Sequence, residues 1–175
     1  MKYCPQCANL LVYDSKIARN SCPCGYVHWN SPTPVVATLV LYTKDNLLPY
    51  NLPDQPDYGL LLVQRGIEPQ KSGWCFPAGY INQYEEPTDA AKREVREETG
   101  IEIEIQQILS SRRVPNPHVN QTVTFYLANP IGGLLQHGDD AQNAKIFSLH
   151  NHPSLCFSTH QETLDAWKRS YFASR

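Results

Sequence analysis

No apolar run in this chain approaches the roughly 20 residues that a membrane-spanning helix needs. None near Met1 is long enough for a signal peptide. A membrane is therefore not expected as a partner, and the cytoplasm is the expected compartment. Charge of one sign is also scarce: the formal net charge is −2, which argues against a broad electrostatic footprint on nucleic acid. Internal repeats and low-complexity tracts are absent, which excludes a solenoid or a disordered tail as the main architecture. What remains is 175 residues, enough for one domain with a real core and a small appendage.

The cysteines are unevenly spread. Cys4, Cys7, Cys22 and Cys24 crowd the first 24 residues, while Cys75 and Cys156 stand apart. Close pairs in a chain without a secretory signal read as metal ligands sooner than disulfides. Pro32 and Pro34 mark a stretch of extended chain, so the expected organisation is a small domain over 1–31 followed by an α/β domain over 32–175. In the second part, 35–42 and 59–65 read as buried strands, with a proline-bearing surface loop between them (Pro49, Pro53, Pro56). Residues 74–78 form a short extended piece. Residues 101–105 alternate apolar and charged side chains as a half-buried strand does. Residues 121–127 and 144–149 are further strands, and 160–172 is a closing helix with Leu164, Trp167 and Tyr171 at helical spacing.

One segment carries the chemistry: GYINQYEEPTDAAKREVREETGI, from Gly79 to Ile101. Pro87 suits the first helical position and Gly100 the left-handed position after the last turn, so a helix is expected over about 87–98. Ala91, Val95 and Thr99 fall on its inner side, Lys92 and Arg96 on the outer. Glu94, Glu97 and Glu98 then lie within an arc of about 100°. No lysine is spaced to neutralise them, and like charges one turn apart cost about 0.2–0.5 kcal/mol each. Carboxylates gathered this way suit a hard divalent cation with oxygen ligands, such as Mg²⁺.

Written as a pattern, the segment is Gly79, five residues, Glu85, seven residues, then Arg93-Glu94-Val95-Arg96-Glu97-Glu98-Thr99-Gly100-Ile101. This resembles the Nudix box at every fixed position. The resemblance implies an α/β/α sandwich with a mixed sheet and Mg²⁺-dependent hydrolysis of a nucleoside diphosphate linked to another group. It implies that Glu94, Glu97 and Glu98 bind Mg²⁺ or Mn²⁺, with the backbone carbonyl of Ala78 or Gly79 as a further ligand. Glu97 is the first candidate for the base. Arg93 orients it, and Glu85 either joins the metal shell or braces the loop. A fold of this kind that binds nucleotides without turnover is the alternative from outside the enzymes.

Cys4-Pro5-Gln6-Cys7 and Cys22-Pro23-Cys24-Gly25 resemble the knuckles of a zinc ribbon, with Cys-x-Cys in place of the usual second Cys-x-x-Cys and Ala8 where glycine is common. A structural Zn²⁺ on all four thiolates is expected; three thiolates completed by His28, or no metal, are the alternatives. Ribbon and box together resemble two Nudix branches. The NADH pyrophosphatases carry a downstream signature that Ser110–Pro117 does not match. The FAD and ADP-ribose group shares Val114-Pro115, the run Asn120–Ala128, Asp139-Asp140 before Ile146-Phe147, and Pro153 with Phe157-Ser158. Asn143 departs from that group, which often has glutamate there; an amide cannot act as the base, which leaves Asp140 or a box glutamate.

The expected substrate is thus a small nucleotide, FAD or ADP-ribose-like, with NADH or NAD⁺ as the alternative. Trp74, Tyr80 and Tyr126 are candidates for stacking on its rings. Arg65, and after it Arg112 and Arg113, are candidates for its phosphates. The scattered histidines His118, His137, His150, His152 and His160 receive no role, and Cys75 and Cys156 read as packed rather than reactive. A homodimer is the default assembly that the resemblance implies.

Overall fold

The computed structural model describes residues 1–15, 19–29, 31–43, 46, 58–138 and 141–173. The proline-bearing loop and Asp139-Asp140 lie outside these residues. The chain divides into two compact units, Met1–Pro32 and Thr33–Arg175. Among the described residues no helix is long and apolar enough to cross a membrane.

The first unit is an antiparallel sheet of three short strands, β1 (Val12–Asp14), β2 (Arg19–Ser21) and β3 (Val27–Trp29). Its buried cluster is Cys4, Leu11 and Cys22, with Tyr26 packed against them. So little apolar surface cannot offset the entropy of ordering some 30 residues without a covalent or metal staple.

The second unit is built on β4 (Thr33–Thr43) and β5 (Tyr58–Arg65), which pair antiparallel. Two short strands follow, β6 (Trp74–Cys75) on β5 and β7 (Ala78–Tyr80) on β4. Then come helix α1 (Pro87–Thr99), the long strands β8 (Ile101–Arg113) and β9 (Gln121–Gly133), β10 (Ala141–Ser148) and helix α2 (Ser158–Ala173). The main strands run in the order β10-β5-β4-β9-β8. Among the described strand pairs only β4 with β9 is parallel, so the sheet is mixed.

Alternation along β4 divides the core. Val36, Val40 and Tyr42 face α1, whose Ala90, Ala91 and Val95 press on them together with Ile101, Ile103 and Ala128. Ala37, Leu39 and Leu41 face the other way, onto Phe76, Phe125, Leu149 and the α2 residues Leu164 and Trp167. The result is helix, sheet, helix. Each large apolar side chain buried here contributes about 1.5–3 kcal/mol.

Three strands run beyond the sequence reading: β9 continues past 127 to Gly133, β10 begins at Ala141 rather than 144, and β8 is the longest extension. β8 runs eight residues past Ile105, to Arg113, because register shifts after Glu102, Ile105 and Ile108 let it keep pairing with β9 where its apolar alternation fails. His160, given no role in the sequence, is buried on α2 with 4 % of its surface exposed, stacked on Phe76 at 5.2 Å and accepting the Phe76 N–H at Nδ1.

Candidate active site

Helix α1 begins without a side-chain cap. Glu86 occupies the extended cap position and Pro87 follows as the first helical residue. It ends at Gly100, whose φ of 70° is left-handed and whose N–H returns to the Arg96 carbonyl. Burial of Ala90, Ala91, Val95 and Thr99 fixes the helix rotation. That rotation turns Glu94, Glu97 and Glu98 toward the end of the sheet where β7 begins. Ala78 donates its N–H to Glu98 Oε2 at 2.9 Å. Gly79 lies so close to the Glu94 carboxyl that a Cβ there would collide with it. Any side chain at position 79 would therefore displace a carboxylate.

Arg93 ties the acids together. Its Nε and Nη2 grip Glu85 at 2.6 and 2.9 Å, and Nη1 reaches Glu94 at 2.8 Å and Glu97 at 2.9 Å. Nη2 also donates to the Tyr80 carbonyl at 2.9 Å. The Glu85 carboxyl additionally accepts the Asn82 N–H at 2.8 Å. The Arg93 fork, with the Asn82 amide behind it, draws the Glu85 carboxyl down to about 2. Glu85 thus braces the loop between β7 and α1. Burial pushes Glu94 upward, against the pull of Arg93. Arg93 itself, held chiefly by Glu85, stays charged at any accessible pH.

The three helix glutamates border an open cleft of about 820 Å³. Glu94, Glu97 and Glu98 form one wall with Ala78, Gly79, Tyr80 and Asn82; Val63, Arg65, Ile67, Gly138 and Ala141 complete it. The arrangement offers oxygen donors, a guanidinium and an aromatic ring to one ligand, a combination suited to a charged phosphate ester with a ring attached.

A family profile described as NUDIX domain matches residues 50–172. The chain is 34 % identical over 119 residues to the ADP-ribose pyrophosphatase of Methanocaldococcus jannaschii, a match covering 66 % of this chain and 69 % of that protein. The chain belongs to the Nudix hydrolase family. It is also 24 % identical over 155 residues to the NAD-capped RNA hydrolase NudC of Stutzerimonas stutzeri, covering 88 % of this chain but only 50 % of NudC. It spans still smaller shares of several other Nudix relatives. Among solved structures, a NUDIX hydrolase from Nitrosomonas europaea superposes with a TM-score of 0.76 at 21 % identity, covering 100 % of this chain and 94 % of the other, a likeness that concerns the fold.

Within this Nudix cleft the expected substrate residues part company. Arg65 and Tyr80 line it. Arg65 is steadied by its Nε donating to the Pro69 carbonyl at 2.7 Å and by the Phe157 ring 5.1 Å beneath its guanidinium. Tyr80 is 56 % exposed, with its hydroxyl taking a hydrogen bond from Gln121 at 2.7 Å. Trp74 and Tyr126 are corrected: neither lines the cleft. Trp74 sits edge-on to Phe147 at 4.8 Å in the core beneath α2. Tyr126 is 3 % exposed, covered by Ala90 and Ala91 of α1, and burial pushes its phenol upward. Arg112 is engaged elsewhere, with Glu162 of α2 at 3.1 Å. Asn82 and Ile67 were missed. Asn82 falls in an unspecified position of the box, and nothing in the sequence around Ile67 marks it.

The four N-terminal cysteines converge. Their sulfurs all lie within 4.8 Å of one another, with Cys4 to Cys24 at 3.6 Å and Cys7 to Cys22 at 3.4 Å. A tetrahedron of 2.3 Å zinc–sulfur bonds has edges of about 3.8 Å, so these thiols fit Zn²⁺ and the cluster is compatible with a small zinc ribbon. His28 is not among the converging groups. Ala8, with φ of 59°, takes the left-handed turn that glycine commonly supplies, and the Gln6 N–H reaches Cys4 Sγ at 3.4 Å. Among the described residues this is the one group of three or more whose ligand atoms come so close. The glutamates share a cleft but are spread along it, with Arg93 between Glu94 and Glu97 and with Glu98 on the Ala78 amide.

Proposed function

We propose that this chain hydrolyses the pyrophosphate bond of a nucleoside diphosphate derivative, ADP-ribose or FAD, and releases a nucleoside monophosphate. The observation that carries this reading is the convergence of Glu94, Glu97, Glu98, Arg65 and Tyr80 on one cleft. The named activity of the archaeal relative supports ADP-ribose as the first substrate to test. Glu94, Glu97, Glu98 and the Ala78 carbonyl would hold Mg²⁺ or Mn²⁺, which when bound neutralises the diphosphate oxygens and acidifies water. The protein's own groups do the rest. Arg65 meets a phosphate with its fork. Tyr80 offers its ring to the base or sugar end. Glu97 is 59 % exposed on its side chain and has one oxygen fixed by Arg93. It takes the proton as water adds to phosphorus, the bridging P–O bond breaks, and the phosphate leaves. Arg93 holds that carboxylate in place. Residues 1–31 serve as a zinc ribbon on Cys4, Cys7, Cys22 and Cys24, and 32–175 as the catalytic domain. Cysteine pairs at ligand spacing support a reducing, cytoplasmic setting.

The test is AMP release from ADP-ribose, FAD, NADH and diadenosine polyphosphates in parallel, with and without Mg²⁺. Mg²⁺-dependent release from ADP-ribose or FAD above the others is expected. Glu98→Gln should lower kcat by about 100-fold or more, since even partners behind a metal ligand cost about 10–100-fold, with thermal stability little changed. Turnover confined to NADH would move the chain to the other Nudix branch; tight binding of a nucleotide with no turnover would make it a sensor.

A further inference from the structure

Cys75 and Cys156 stand outside the carboxylate network, yet the fold sets them side by side. Trp74 bridges Leu155 in parallel, and the Cys156 N–H donates to the Trp74 carbonyl at 2.8 Å. Carrying that register on by one residue puts Cys75 opposite Cys156. Neighbouring strands lie about 4.8 Å apart, inside the window of about 4.4–6.8 Å between Cα atoms that a disulfide requires. Both side chains belong to one small cluster with Val63 and Ala141, so the two thiols are packing neighbours. Gly73 permits the approach: a Cβ there would come within 2.6 Å of Cys156 Cβ.

The two sulfurs are unequal. Cys75 is 2 % exposed, whereas Cys156 is half-buried. The neighbouring Cys75 thiol and then the charge of Arg65 favour the Cys156 thiolate, while the proximity of Cys156, with burial, pushes the Cys75 thiol up. The accessible sulfur is therefore the better nucleophile, and the buried one is shielded from reagents but not from its neighbour.

We propose that Cys75 and Cys156 form an oxidisable dithiol, in which Cys156 attacks a low-molecular-weight disulfide and Cys75 resolves the adduct to an internal disulfide. With glutathione disulfide, the Cys156 sulfur attacks one glutathione sulfur. The S–S bond breaks, and the first glutathione leaves with the Cys156 proton. The Cys75 sulfur then displaces the second glutathione, which takes the Cys75 proton. Two protein thiols lose two electrons, and one glutathione disulfide becomes two thiols. The bond would join β6 to the segment entering α2, directly beside the Phe157 ring on which Arg65 rests.

The experiment treats the full chain, purified with zinc present, with glutathione disulfide, blocks free thiols with iodoacetamide, and maps tryptic peptides by mass spectrometry without reduction. Residues 72–92 carry Cys75 and 146–168 carry Cys156 as single tryptic peptides. The expected product is these two joined. Cys75→Ala should instead retain glutathione on Cys156, and Cys156→Ala should leave Cys75 unmodified. The proposal is overturned if wild-type protein keeps glutathione on Cys156 without the cross-link. It is equally overturned if both peptides are alkylated throughout while a control peptide dithiol oxidises in the same mixture. The wild-type map decides even if a variant fails to fold, and no arm depends on turnover.

Discussion

The two units of this protein use ligand-bearing side chains in opposite ways. In Met1–Pro32 two of the four thiol side chains belong to the core: among the described residues Cys4 and Cys22 are buried beside Leu11, while Cys7 and Cys24 are exposed. In Thr33–Arg175 the core stands on both faces of a mixed sheet without help, and Glu94, Glu97 and Glu98 sit at its rim. The carboxylates also carry their own counter-charge in Arg93. An ion in the first unit would therefore be a condition of folding, and an ion in the second a condition of chemistry alone.

The sharpest way to break this contrast is to deny the first unit the zinc that its four thiols would hold. A chelator, or Cys22→Ser, should cost the first unit its structure, since zinc binding in such small folds is worth about 10–16 kcal/mol. Amide exchange in Arg19–Trp29 should rise to that of unfolded chain while β4 and β9 keep their protection. Persistent protection of β2 and β3 after chelation would show that the unit folds without metal.

A smaller effect is expected from Arg93→Lys. One ammonium cannot grip Glu85 with two nitrogens while reaching Glu94 and Glu97. Activity should fall by about 10–100-fold, and the Glu85 titration, followed by NMR, should climb from about 2 toward 4.5. In the native protein the Glu85 pair contributes stability that is fully present above pH 4.5 and lost as pH falls to about 2. The variant should lose that acid resistance. An unchanged Glu85 titration would show that the Asn82 amide alone holds the carboxylate down.

The mildest test concerns the core of the second unit. Burial, and then the charge of Arg65, lowers His160 to about 3, so the folded state holds it neutral while the unfolded chain protonates near 6.5. Stability should thus decline as pH falls from 6.5 toward 3. Urea unfolding of wild type against His160→Gln should show that slope only in the wild type; equal slopes would place the acid sensitivity elsewhere.

The carboxylate helix was almost wholly legible in the sequence. Pro87 and Gly100 bracket it, and its apolar residues at helical spacing are the ones that are buried. The placing of β4 and β5 and the start of β9 were legible as well, because runs of β-branched or leucine-rich residues between turn formers leave few alternatives. Orientation on short strands was not. Trp74 and Cys75 occupy a two-residue strand, where nothing local decides which side chain turns to the cleft and which to the core. Tyr126 was lost for a related reason: parallel pairing of β9 with β4 places it opposite Thr38, under α1, and that pairing is set by tertiary packing alone. The polar half of β8 and the burial of His160 likewise depend on partners far away in the chain. The same distance hides the meeting of Cys75 with Cys156.

The pairing of β4 with β9 also sets an order of events during synthesis. Residues 33–43 leave the ribosome long before residues 121–133 are made, so the middle strand of the sheet spends that interval with one edge bare. Such an edge can join another nascent chain as readily as its own missing neighbour. The yield of this protein in cells should therefore depend on how fast the stretch between those two strands is translated.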